Sequence, residues 1–307
     1  MIKYPEGRSK HIAITAPAGN VPAGRVEQAV SFLQSQGLKV VNDLSHERRS
    51  GYLAGSDAER SEALLAFWRD PKVDIILAAR GGYGTARLLP QLPWTEMSNR
   101  PKLLMGYSDL TALQNALLSC SAVASVSSPM AATELTGLPD AITWNSLLPF
   151  LKYGFAPQSD QLLTLSSEQI MVPGSGEGIL VGGNLSVFTS LFGTPYLKMP
   201  ERFVLVLEEQ GEYPFRLDRY LRMLANGGWL KKASAILLGH FTGCDEPDPD
   251  KSTFTAAELI QEYFGSLSCP VISGIPYGHS APRLSLPIGG LVRIDTAARR
   301  LEFTRQG

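Results

Sequence analysis

Four times in its first half the chain runs a short apolar stretch into a turn and then into a helical pattern. HIAIT leads through APAG into a pattern over Gly24–Gln36 that Gly37 ends, and LKVVND precedes a helix over Ser56–Arg69. VDIILAA leads into RGGYG and TARLLPQL, and KLLMGYS into DLTALQNALLS. Ser56 or Asp57 is placed to cap the second helix, which must close before Pro71. The apolar runs are continuous rather than alternating, so each strand is buried on both faces. That predicts an α/β fold with a doubly wound, mainly parallel sheet.

The texture changes between Tyr153 and Gly178, where Ser, Gln, Pro and Gly dominate. This predicts a linker carrying a small hairpin. Beyond it, GILVGGNL, FVLVLE, AILLGH, VISGIP and LVRIDTAARRLEF read as strands. Helices are expected at SVFTSLFG, Pro214–Ala225 and Phe254–Phe264. At 307 residues the chain is about twice the usual single-domain length. The expected division is an N-terminal α/β domain over 1–152, a linker over 153–177, and a C-terminal α/β domain over 178–307.

Several function classes drop out on composition. With 28 Lys and Arg against 29 Asp and Glu, the chain has no basic field for nucleic acid or an anionic membrane. Cys120, Cys244 and Cys269 are widely spaced and form no CxxC or Cys/His cluster, which fits a reducing compartment. The N-terminal residues lack the apolar core of a signal peptide, and no run approaches a membrane span. A cytoplasmic location is expected.

The chemistry concentrates where strands turn into helices, the ligand edge of an open α/β sheet. In LLMGYSDLTAL, Ser108 stands at such a turn beside the free N–H groups of the next helix. It is either a helix cap or a nucleophile on a strained elbow, with Gly106 permitting close approach. The usual G-x-S-x-G pattern fails at Leu110. A serine nucleophile needs a base, and the chain has 4 histidines. His11 opens a strand and His46 lies in the charged HERRSG segment, expected to be solvated. His240 and His279 both end strands; the Gly- and Pro-rich loop around His279 favours it slightly. Glu208, the first polar residue after Phe203–Leu207, could orient an imidazole, or serve as a surface residue of a turn. The loop RGGYG could present amides to an oxyanion. As Gly82-x-Gly84-x-Ala86 it also spells a weak dinucleotide motif, which belongs after a first strand but here follows the third. No metal-ligand spacing accompanies His279, and no metal or other cofactor is expected.

Taken in order, RGGYG at 80–84, GYSD at 106–109, GGNL at 182–185 and LFGTPY at 191–196 form one set with VLEE and PFRLDR within 206–219, and with GIPYGHS and RLSLPIG within 274–289. This set resembles the LD-carboxypeptidase family of serine peptidases. The resemblance implies a catalytic triad of Ser108, Glu208 and His279, with an oxyanion hole from the amides of Gly82 and Asp109. It implies two α/β domains with the active site in the cleft between them, and a homodimer. The implied substrate is a murein tetrapeptide, free or sugar-linked, losing its terminal D-alanine in peptidoglycan recycling. A carboxypeptidase must also hold a free carboxylate through a guanidinium or a helix N-terminus. Arg80 and Arg283 flank the site loops, and Tyr83 and Asn184 are further expected substrate contacts. Two departures stand out: Ser127-Ser128-Pro129-Met130 replaces a frequent Gly-Pro, and position 107, Tyr here, varies between Tyr and His.

Two other activities fit such a chain. One is hydrolysis of aminoacyl or peptidyl nucleotide amides, as in microcin C self-immunity, marked by an aromatic platform for adenine on an added loop. The loop after His240 carries no Trp. The other is non-catalytic binding of muropeptides.

Overall fold

The computed structural model describes residues 1–6, 11–155, 161–248 and 250–304. Its strands, in chain order, are β1 (His11–Thr15), β2 (Lys39–Asn42), β3 (Val73–Ala78), β4 (Leu103–Gly106), β5 (Ser125–Ser127), β6 (Gln161–Thr164) and β7 (Ile170–Val172). They continue with β8 (Ser175–Asn184), β9 (Phe203–Gln210), β10 (Ala235–Thr242), β11 (Val271–Ile272), β12 (Leu286–Ile288), β13 (Leu291–Asp295) and β14 (Arg300–Thr304).

The first sheet has six strands in the order β12-β5-β4-β3-β1-β2, parallel throughout except for β12. Every residue of β4 is buried, as the unbroken apolar runs require of strands covered on both faces. The helix Asp57–Arg69 starts at Ser56 with a capping box: Ser56 Oγ accepts the Glu59 amide and the Glu59 carboxylate accepts the Ser56 amide. Its predicted start and stop therefore both hold.

The second sheet has eight strands in the order β6-β14-β13-β8-β9-β10-β11-β7. Its centre, β8-β9-β10-β11, is parallel, and antiparallel strands flank it on both sides.

A helix joins the two sheets. Leu110–Ser121 follows Ser108 and Asp109 and is buried along nearly its whole length, including Thr111, Gln114 and Asn115. Each of these polar side chains has a fixed backbone partner, as burial demands. Gln114 donates to the carbonyls of Gly106 and Val126 in the first sheet. Asn115 exchanges two hydrogen bonds with Gly182 in β8, and Thr111 Oγ1 accepts the Asn184 amide at 3.0 Å. A Cβ at Gly183 would lie 2.4 Å from Thr111 Oγ1, so the GGN glycines admit this helix against the second sheet.

Three segments depart from the sequence reading. The expected linker carries β6 and β7, which do not pair as a hairpin but lie at opposite edges of the second sheet. Its residues 156–160 lie outside the described residues. β12, expected within the C-terminal part, pairs antiparallel with β5 in the first sheet. The helix Ala141–Tyr153 is additional to the helices expected from sequence, and its Thr143 and Ser146 bind the backbone of residues 283–285. No helix among the described residues is long and apolar enough to cross a membrane.

Candidate active site

The site forms where the chain leaves β4. Ser108 adopts φ 63°, a left-handed conformation uncommon outside glycine and a store of local strain. Its carbonyl accepts the Thr111 amide at 2.9 Å, which starts the following helix. The side chain caps nothing: the N-cap position falls at Asp109 with no side-chain cap bond, and Ser108 Oγ lies 3.0 Å from His279 Nε2. The cap reading of Ser108 therefore fails at the side chain and survives only as backbone.

His279 Nδ1 lies 2.7 Å from Glu208 Oε2. Glu208 is 1% exposed near the end of β9, one residue before the last buried position, with the imidazole 12% exposed. A Cβ at Gly278, where φ is 119°, would lie 3.0 Å from Glu208 Oε2, so glycine there lets the histidine loop close on the carboxylate. Hydroxyl, imidazole and carboxylate thus form one row. Such a row can pass a proton from an attacking hydroxyl to the imidazole while the carboxylate fixes the tautomer.

Beside the row lies the glycine loop. A Cβ at Gly81 would sit 3.2 Å from Ser108 Oγ and 3.5 Å from the Asp109 amide nitrogen. Glycine, hydroxyl and amide therefore share one small space, with Gly82 at φ 109° next along the loop. The buried Asp109 side chain fastens this corner: Oδ2 accepts the Thr85 amide at 2.8 Å, and Thr85 Oγ1 donates to the Asp109 carbonyl. Burial pushes the Asp109 carboxyl upward, against the lowering effect of the Thr85 hydrogen bonds. Beyond its amide, Asp109 thus has a structural role for its side chain, and the sequence signal for it is a lone carboxylate opening an apolar helix.

A cavity of about 420 Å³ opens over Ser108 and His279. Residues before and after position 150 both line it, among them Arg80, Gly82 and Met130 on one side and Asn184, Glu209 and Glu212 on the other. Arg80 is half-buried, is the one Lys or Arg among the described lining residues, and donates to the Asn20 carbonyl.

The other expected substrate contacts sit differently. Tyr83 lies outside the cavity lining, 49% exposed, with its ring edge-on to Tyr52. Asn184 lines the cavity, but Nδ2 donates to Glu209 Oε1 and Oδ1 caps the short helix Leu185–Thr189. Arg283 is 4% exposed, outside the lining, and paired with Glu134. Burial raises the Glu209 carboxyl despite donors from Gln210, Asn184 and Ser186.

The remaining histidines are elsewhere. His240 lines a separate cavity with Asp245 and Gln261. His46 is buried rather than solvated as expected, with Nε2 3.1 Å from Glu27 Oε1.

Comparison with known proteins gives a consistent family picture. The N-terminal domain model of the LD-carboxypeptidases matches residues 12–128, and their C-terminal domain model matches residues 177–294. A Bacillus subtilis protein named "Probable murein peptide carboxypeptidase" is 32% identical over 290 residues, covering 94% of this chain and 89% of that protein. The microcin C7 self-immunity protein of Escherichia coli is 27% identical, covering 95% and 91%. Among solved structures, the muramoyltetrapeptide carboxypeptidase from Oxalobacter formigenes matches with a TM-score of 0.84 at 30% identity, covering 96% of this chain and 100% of that one.

Proposed function

The chain belongs to the LD-carboxypeptidase family of serine peptidases, and on that premise we propose that it releases the terminal D-alanine of murein tetrapeptides in the cytoplasm, within peptidoglycan recycling. The observation that carries this reading is the row Ser108–His279–Glu208, with steps of 3.0 and 2.7 Å, opening on a cavity.

In this mechanism His279, oriented by Glu208, takes the hydroxyl proton as Ser108 attacks the amide before D-alanine. The amides of Gly82 and Asp109 stabilise the tetrahedral oxyanion. His279 then protonates the leaving amine, and water releases the shortened peptide from Ser108. Arg80 holds the terminal carboxylate, as the cationic side chain available in the lining. The Glu212 carboxylate on the opposite side suits the side-chain amine of an L-lysine or diaminopimelate centre. The assembly in this reading is a homodimer, which light scattering on the purified protein checks.

The experiment is incubation of the protein with murein tetrapeptide, followed by mass spectrometry for loss of one alanine. Ser108→Ala should lower turnover by about 10⁴–10⁶-fold and leave the fold intact. Appreciable turnover by that variant sinks the assigned nucleophile. A second reading, cleavage of an aminoacyl nucleotide amide, draws on Tyr213 and Phe215. These exposed rings stack 6.1 Å apart next to Glu212 of the cavity lining. Faster cleavage of such an amide than of tetrapeptide in the same assay would favour it.

A further inference from the structure

His279 sits in an irregular stretch: no strand or helix is assigned between Ile272 and Leu286. Its position over Ser108 must therefore come from contacts rather than from a regular element, and the contacts converge on Arg283. The guanidinium lies 3.8 Å from the Tyr107 ring centroid, Nε donates to the Gly278 carbonyl, and Nη1 pairs with Glu134 Oε1. Tyr107 packs edge-on against the His279 ring, with 5.0 Å between centroids, and donates its hydroxyl to the same Glu134 oxygen at 3.0 Å. The second Glu134 oxygen accepts the Met130 amide at 2.9 Å and the Thr133 hydroxyl. Burial works to raise the Glu134 carboxyl, but the Arg283 charge and these hydrogen bonds outweigh it and hold the group below the ordinary carboxylate range.

The chain neighbours of both reacting groups, Tyr107 before Ser108 and Gly278 before His279, are thus fastened to one ion pair between the buried Arg283 and the partly buried Glu134. We propose that the Arg283–Glu134 pair, acting through Tyr107 and the Gly278 carbonyl, positions the His279 imidazole between Ser108 Oγ and Glu208. The proposal rests on reading that row as catalytic. An ion pair this largely withdrawn from water adds little net stability over a well-packed apolar replacement, so its place beside the reacting groups points to orientation. Only a planar guanidinium can cover the Tyr107 face and donate sideways to a carbonyl while pairing with a carboxylate. Lysine at 283 keeps the charge and loses that geometry.

The test compares wild type, Arg283→Lys, Glu134→Gln and Ser108→Ala by steady-state kinetics on murein tetrapeptide. It adds the downfield proton resonance of the His279 Nδ1–H bonded to Glu208, which needs no substrate. Arg283→Lys should lower kcat by about 10- to 100-fold, the scale of an ångström misplacement, with KM within about 3-fold. Its downfield resonance should broaden or vanish, while Ser108→Ala keeps the resonance. Wild-type kcat in Arg283→Lys overturns the proposal, and so does a raised KM at unchanged kcat, which would make Arg283 a substrate contact. Should Arg283→Lys fail to fold, Glu134→Gln decides: a kcat fall of about 3- to 10-fold at steady KM supports positioning, and wild-type kcat overturns it. Turnover by Ser108→Ala strikes instead at the catalytic reading itself.

Discussion

The two walls around Ser108 are built from different materials. On the side of β3 and β4 the wall is backbone: the strained Ser108, the glycines at 81 and 82, and the Asp109 amide, held by Thr85. On the side of β9 and the 278–283 loop it is side chain: Glu208, His279 and Glu212, with Arg283 and Glu134 behind them. A backbone wall presents donors that do not titrate and tolerates no added atoms. A side-chain wall titrates, tolerates isosteres in shape, and fails in chemistry. Substitutions on the two walls should therefore fail in distinguishable ways.

The sharpest break is Glu208→Gln. The amide keeps shape and burial but cannot stabilise an imidazolium, and it favours the wrong His279 tautomer. Loss of such a carboxylate costs about 10³–10⁴-fold in kcat. Circular dichroism and the thermal midpoint should stay near wild type. A kcat within tenfold of wild type would show that the side-chain wall relays no proton.

Gly81→Ala attacks the opposite wall with a single methyl. That Cβ would stand 3.0 Å from Ser108 Cβ and 3.2 Å from its hydroxyl, in the space assigned to the oxyanion. The expected fall is about 10²–10³-fold in kcat, as for loss of one oxyanion donor. Full activity would mean that the oxyanion lies elsewhere.

The side-chain wall was the more legible in sequence. Glu208 and His279 are polar residues where apolar strands end, and strand ends can be read locally. The parallel sheet was legible for the same reason. What stayed hidden is long-range. Glu134 and Arg283 are separated by 149 positions, and neither carries a local sign of the other. Glu134 lies in an irregular segment between β5 and the helix Ala141–Tyr153, where no periodicity predicts burial. Arg283 looked like a substrate ligand because it flanks the histidine loop, and sequence cannot say which way a guanidinium turns. The pairing of β6, β7 and β12 stayed hidden because short edge strands borrow it from distant partners.

A milder effect is expected at Arg80, the one Lys or Arg among the described lining residues, which the backbone wall carries. If Arg80 grips the terminal carboxylate alike in substrate and transition state, Arg80→Gln raises KM and spares kcat. One charge-assisted contact corresponds to about 10- to 100-fold in KM. A substrate amidated at its C-terminus should not distinguish variant from wild type. Equal KM values for the free acid in both proteins would clear Arg80 of that role.

The smallest effect reads the side-chain wall through pH. Glu134 has its pKa depressed in the folded state, because Arg283 and its hydrogen bonds overcome the effect of burial. Its charged form is thus favoured by folding. That contribution is fully present above the unfolded glutamate value of about 4.3 and is lost as pH falls through the lower folded value. Glu209 carries the opposite sign: burial raises its pKa, so its contribution is present below the unfolded value and is lost as pH rises through the folded one. Glu134→Gln removes the first contribution alone. The gap in thermal midpoint between wild type and this variant should be widest near neutral pH and should narrow on acidification. It should amount to about 1–2 °C for each kcal/mol the charge contributes in a chain of 307 residues. A gap that widens as the pH drops would mean that burial, not Arg283, governs this carboxylate, and the ion pair behind His279 would lose its electrostatic basis.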